Sequence, residues 1–467
     1  MTASERIDAT LAHFAAIADD LQIACKSRGG DVVEVVLREG SELSTSVRLG
    51  EVEQVEQAGH RSAGLRLMKW QPTKQAFSVA HTSSSDFSKS GLQRLVDDAF
   101  ELAALSEPDP FAGPPEVAPT NETPLDLQLF DNACAELSAE QALDRARRGE
   151  RAAMDFDARI TNSEGASFSR SDSASLLSLN SGFVGTQRGS YAALSVAPLA
   201  TEPGSDKKWR GSHWTARRWL SELETPEFVG KKAAERAIAR LGARSVESCL
   251  APVIFDPEAG RSIVGLLAGC ISGGAIYRRS SYLVDRLGTS VASPLVTILD
   301  DSTLVRGPGS RLFDGEGFAS RRLAVVERGV LQAYLLDSYC GRKLKLQSNA
   351  SAGRGGNGAV SVSTSNFVLQ PGSTAPADIV AGTSSGLLVT DLMGFGFNPV
   401  TGDFSRGASG FWVENGAIAF AVNEVTISLN LHDLLSNIDL VGSELDMRSS
   451  VCCPMFRVSS MTIAGSQ

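Results

Sequence analysis

The chain has 467 residues, 42% of them apolar and 21% charged, the balance of a soluble globular protein long enough for two or three domains. Its 44 Lys and Arg stand against 54 Asp and Glu, and a net charge of −10 supplies no basic field for nucleic acid, so direct DNA or RNA binding is not expected. No stretch approaches the roughly 20 apolar residues of a membrane span; the opening residues hold no apolar signal core and the seven scattered cysteines suit reduced thiols, so a cytoplasmic location is expected.

Ile7, Leu11, Phe14, Ala18 and Leu21 recur at helical spacing and predict an amphipathic opening helix. Segments 31–37, 43–49, 51–57, 61–69 and 75–81 then read as strands, and Leu92, Val96, Ala99 and Ala103 mark a second helix. Residues 107–124 contain six prolines and read as a linker or extended surface segment. Ser138 with Gln141 forms a capping box opening a helix to about Phe156, and 159–196 switches to a strand meander. Thr225-Pro226 starts a helix that Gly242 closes. Beyond 250 most segments are short strands between Gly-rich turns, with one helix around 259–269. The expected fold is α+β: an N-terminal α+β region of antiparallel strands with helices (1–106), a Pro-rich linker (107–124), a mixed helix and β-meander region (125–243), and a β-rich barrel- or sandwich-like domain (244–467).

The run from Asn398 to Gly416 is the most informative stretch. Asn-Pro, Thr-Gly-Asp and Asn-Gly are turn and hairpin signals, because Gly and Asn tolerate positive φ and Pro fixes φ. Such a loop can shape a site or only join two strands. Gly353–Gly358 lacks the strand-loop-helix setting of a phosphate loop and reads as a flexible hairpin or lid. The carboxylate pairs Asp300/Asp301 and Asp314/Glu316 read as turn formers and strand caps, and the adjacent Cys452 and Cys453 as small buried residues.

Together with 389–396 and 422–428, with Phe313-Asp314-Gly315-Glu316-Gly317, with 329–339 and with Thr364-Ser365-Asn366-Phe367, that run resembles the C-terminal signature of the TldD/PmbA family, also called modulators of DNA gyrase. The resemblance covers most of the chain, weakly in the first half. It implies a subunit of an intracellular metalloprotease. The catalytic TldD-type subunit carries a His-Glu-x-x-x-His segment on a helix, and zinc chemistry needs such ligands together with a base. Here Val264, Gly265 and Gly269 occupy those places, and the five histidines (His13, His60, His81, His213, His432) lie far apart in sequence.

The resemblance therefore implies a PmbA/TldE-like subunit with no catalytic residue, metal or cofactor of its own, zinc being held by a TldD-like partner, and with unfolded peptides or peptide precursors as substrate. Asn398, Thr401, Asp403, Ser405 and Asn366, with the 353–358 hairpin, are the candidates for cavity lining or subunit contact. Extended peptide would pair with exposed strand edges through main-chain hydrogen bonds. The rival reading is a self-associating, homodimeric peptide-binding or regulatory protein without peptidase activity. A weaker one is an independent hydrolase using Cys270 or a serine.

Overall fold

The computed structural model describes residues 2–121 and 125–465. Thr2 and Glu5 cap α1 (Ala3–Ser27) in a capping box, and its stripe Ile7, Phe14, Ile17, Ala18 and Leu21 is buried. That stripe packs on β1 (Val32–Arg48), β2 (Glu51–Gln71) and β3 (Ala76–Ser84), together with Leu95, Val96, Ala99 and Ala103 of α2 (Lys89–Leu105). The segments expected as separate strands at 31–37 and 43–49 form one strand, as do 51–57 and 61–69. Gly40 sits opposite His60 and keeps its place in the ladder, so the glycines between the apolar runs are strand residues, not turns.

After the Pro-rich segment and the single turn α3 (Asn132–Ala135) come α4 (Ala139–Met154), with the expected Ser138/Gln141 capping box, β4 (Ile160–Ser178) and β5 (Val184–Thr201). Short strands β6 (Lys208–Arg210) and β7 (His213–Arg217) precede α5 (Pro226–Ala239), capped by Thr225. β1 pairs antiparallel with β4 along thirteen residue pairs, Val35↔Ser178 to Val47↔Ala166. One curled seven-stranded sheet, β3-β2-β1-β4-β5-β6 with β7 on β5, thus runs through both the 1–106 and 125–243 regions. α4 and α5 cover its second half through Ala142, Ala146, Ala153, Val229, Ala233 and Ala237.

The remaining chain is α+β with a closed barrel, as the β-rich expectation had it. β8 (Cys249–Phe255) pairs in parallel with Ser385–Met393 and antiparallel with Phe456–Ala464. Ser385–Met393 continues to Asp403–Glu414 and then to Ala417–Asn430. Thr426–Ser428 of that last strand pairs back to Phe456–Ala464, which closes five strands on themselves and removes the sheet edges. Beside it, Ile298–Asp301 centres a five-stranded sheet. α6 (Pro257–Cys270), capped by Asp256, packs Ile263, Val264 and Leu267 into the core shared by both. No helix among the described residues is long and apolar enough to cross a membrane.

Candidate functional site

The alternation of a strand decides what meets what between the two units. Val33, Val35 and Leu37 of β1 face the helices, so Glu34, Val36 and Arg38 turn toward the C-terminal unit. The register lays two rows across the sheet on that side. Arg38 stands opposite Ser175, and Ser175 opposite Gln187; Val36 stands opposite Leu177, and Leu177 opposite Gly185. Leu312–Gly315 of the C-terminal unit lies over these rows. Gly185 is bare because Phe313 sits on it: a Cβ there would lie 2.6 Å from Phe313 Cε1. Leu312 N donates to Gln187 Oε1 at 3.0 Å.

Gly353–Gly358 forms the expected hairpin, between strands Ala352–Arg354 and Val360–Val362, and it docks on the sheet. Gly64 of β2 permits this, since a Cβ at Gly64 would be 2.3 Å from Gly356 O. Arg354 is the clamp. Its side chain is 3% exposed, pairs with Glu34 Oε2 at 2.7 Å, and donates to Gly315 O at 2.7 Å and Gly358 O at 3.1 Å. Burial works against ionisation of Glu34, but Arg66 and Arg354 outweigh it and hold the carboxyl down at about 2.

Between the units runs a cleft of three adjoining cavities. One of about 680 Å³ is lined by Leu11, Gln128, Phe130, Thr186, Arg188 and Trp219 among others. A second, about 410 Å³, shares Thr186 and Leu312 with it and reaches Asn121, Phe183 and Phe313. The smallest, about 170 Å³, shares Gln187 with the first and Phe313 with the second, and its lining includes Arg38, Ser175, Arg311 and Arg354. Arg306 fixes one wall by stacking 3.9 Å over the Trp219 ring and donating to Gln128 Oε1.

The cleft exposes a strand edge. On the side away from β4, β7 pairs with β5 only from Ala192 to Val196, and β6 only from Leu199 to Thr201. Ser190 N donates to Leu129 O at 3.0 Å and Val184 N to Asn121 Oδ1 at 3.2 Å, so the even-numbered residues point their backbone away from β4. Between those two, no strand among the described residues lies alongside Thr186 and Arg188, and both line the largest of the three cavities. No other described residue bonds to their outward N–H and C=O groups, which leaves these to an added strand.

A carboxyl cluster backs the 312–315 segment over this cleft. Asp314 accepts from Glu316 N, Phe318 N and Ala352 N, a turn-forming role as expected. Glu316 accepts from Ser338 N at 2.9 Å and Ser338 Oγ at 2.8 Å. Burial, then the Asp314 charge, pushes Glu316 up to about 7 against those two bonds, and burial also raises Asp314. Nothing in the sequence marks the pair as buried.

The residues singled out from sequence fall in separate places. Asn398 and Thr401 lie in one exposed turn, with Asp403 and Ser405 on the start of the strand that leaves it, held by Thr401 Oγ1 to Asp403 Oδ2 (2.7 Å), Asn430 Nδ2 to Thr401 O (2.8 Å) and Tyr282 N to Pro399 O (2.8 Å). Asn366 does not join them. It is fully buried, its Nδ2 donating to Asp301 O and Ser310 Oγ and its Oδ1 accepting from Gly309 N. On α6, Val264 is in the core, while Gly265 and Gly269 face open space, with nothing within 4 Å of a Cβ built there. These three positions do not fit a zinc ion, since none carries a donor. Cys270 beside them is buried, and burial raises its thiol to about 11, which leaves no reactive thiolate. Among the described residues, no group of three or more His, Cys, Asp or Glu is placed to hold a metal. Sequence reading did not find the Arg38–Ser175–Gln187 row or Arg311.

Comparison with known proteins agrees with this architecture. Family models of the PmbA/TldA metallopeptidase match domain 1 at residues 33–103, the central domain at 132–241 and the C-terminal domain at 248–465. The chain is 35% identical over 450 residues to the metalloprotease PmbA of Escherichia coli O157:H7, covering 96% of this chain and 95% of that one. To the Haemophilus influenzae PmbA homolog it is 34% identical over 440 residues, covering 94% and 93%, but to that organism's TldD homolog only 25% over 334 residues, 69% of each. The fold is that of a putative modulator of DNA gyrase from Bacteroides thetaiotaomicron (TM-score 0.87, 23% identity, 97% and 99% covered) and of TldE from Thermococcus kodakarensis (0.84, 20%, 96% and 100%). The chain belongs to the PmbA/TldD metallopeptidase family.

Proposed function

We propose that this chain is the metal-free, PmbA/TldE-like subunit of a heteromeric, cytoplasmic TldD/TldE-type zinc metalloprotease. It supplies cavity walls and peptide binding, while a TldD-like partner carries the zinc and the water-activating base. One observation carries the reading: α6 offers Val264, Gly265 and Gly269, without one donor atom among their side chains, where the zinc-bearing subunits have two imidazoles and a carboxylate. The unpaired stretch of β5 at Thr186 and Arg188 supports the binding role, because an extended chain can pair there through its main chain and needs no particular side chain. Unfolded peptides and peptide precursors are then the substrates.

Co-purification with a TldD-like subunit, followed by peptidase assays of each chain alone and of the mixture, tests this. The mixture should cleave and this chain alone should not. Full proteolysis by the partner without this chain, or stoichiometric zinc held by this chain alone, would refute it.

A further inference from the structure

Two guanidinium groups enter the smallest cavity from opposite units, Arg38 from β1 and Arg311 from the segment over the sheet. Neither forms an ion pair among the described residues. Arg38 donates to Arg354 O, and Arg311 donates to Ser363 Oγ at 3.0 Å and weakly to Ala350 O at 3.5 Å, so both keep N–H groups to spare. Gln187 adds its amide NH2, its oxygen being occupied by Leu312 N.

Asp314 and Asp300, whose fields reach Arg311, and Glu34, on the same strand as Arg38, are already engaged. Asp314 takes three backbone N–H bonds. Asp300 is paired with Arg321 and accepts from Ser365 N. Glu34 lies between Arg66 and Arg354. Burial depresses both free arginines, and Arg354 depresses Arg38 further, while Asp314 and Asp300 partly offset this for Arg311. The cavity thus has an excess of cationic donors. Its remaining walls include Val36, Leu177 and Phe313, which a compact inorganic anion would leave facing water.

We propose that this cavity captures the C-terminal carboxylate of a peptide whose last side chain is small and apolar. The carboxylate sits between Arg38 and Arg311, with Gln187 as a third donor, and the side chain rests on Val36, Leu177 and Phe313. The inference rests on the reading that peptides occupy the cleft. It adds a polarity to them, because a free C-terminus would be anchored at the narrow end while the rest of the chain runs out past Gln187 toward the β5 edge.

The test is fluorescence anisotropy on the whole protein with a labelled, unstructured hexapeptide ending in Ala, as free acid and as C-terminal amide. Unlabelled acetate and inorganic phosphate serve as competitors. The free acid should bind at least about tenfold tighter than the amide, as expected for losing charge-assisted bonds. Acetate should compete better than phosphate, and Arg38→Gln or Arg311→Gln should erase the acid–amide difference in protein that still melts cooperatively. The acid–amide comparison on the unmodified chain stands whether or not the variants fold. Equal affinity for acid and amide overturns this inference and leaves peptide binding in place. Binding of neither overturns both, and competition by phosphate alone assigns the cavity to a different anion and overturns it as well.

Discussion

Glu316→Gln should make the protein more stable at alkaline pH, the opposite of what removing a hydrogen-bonded carboxylate ordinarily does. Glu316 is 3% exposed, and burial with the neighbouring Asp314 charge lifts its carboxyl from the ordinary 4.5 to about 7. The folded state therefore holds its proton more tightly than the unfolded chain does. The stabilisation this brings is complete below about pH 4.5 and is lost as pH rises through 7. At ~1.4 kcal/mol for each pH unit, that loss is about 3 kcal/mol. Glutamine keeps an oxygen for Ser338 N and Oγ and never ionises, so it escapes the loss. Asp256, half-buried at the start of α6, is raised to about 7 as well and burial raises Asp314, so the wild-type curve contains all three groups, and the difference between variant and wild type removes what Glu316→Gln leaves unchanged. Urea midpoints from pH 5 to pH 9 measure it. The variant should match wild type to within about 1 kcal/mol at pH 5 and exceed it by about 3 kcal/mol at pH 9. Parallel curves across that range would refute the reasoning.

Three further outcomes follow from the interdomain contacts and α6. Glu34→Ala leaves Arg66 and Arg354 buried without their shared anion and should cost about 3–5 kcal/mol at pH 7 by chemical denaturation; a loss under 1 kcal/mol contradicts the clamp. Because Glu34 sits at about 2 when folded, its stabilisation is present above pH 4.5 and lost as pH falls toward 2, so the same variant should flatten the acid limb. Gly64→Ala forces a Cβ against Gly356 O and Gly358 N, and should cost about 1–3 kcal/mol while exposing the bond after Arg354 to trypsin; unchanged melting and cleavage would show that the hairpin does not depend on that contact. Gly265→Ala and Gly269→Ala meet open space on a helix and should each stabilise by about 0.5–1 kcal/mol; destabilisation in thermal melts would mean that the face is covered.

What could be read in the sequence was local. Ser138 with Gln141, and Thr225 before Pro226, announced helices because a cap bonds to N–H groups three residues on, inside any window a reader inspects. The Gly-rich run 353–358 announced its hairpin in the same way. Barrel closure was not legible, since it rests on Thr426–Ser428 meeting Thr462–Ala464 across three dozen residues. Asn366 looked like a cavity residue among hydroxyls, yet nothing in its neighbours told that Gly309 and Asp301 would enclose its amide. The cleft shows the limit most clearly. Arg38, Gln187 and Arg311 belong to no sequence motif, and only the β1–β4–β5 register and the bare Cα of Gly185, which lets Phe313 descend on the sheet, bring the three to one cavity. A donor site assembled from segments more than a hundred residues apart has no motif, so in this chain the vacant zinc positions were the visible feature and the cationic cavity was the hidden one.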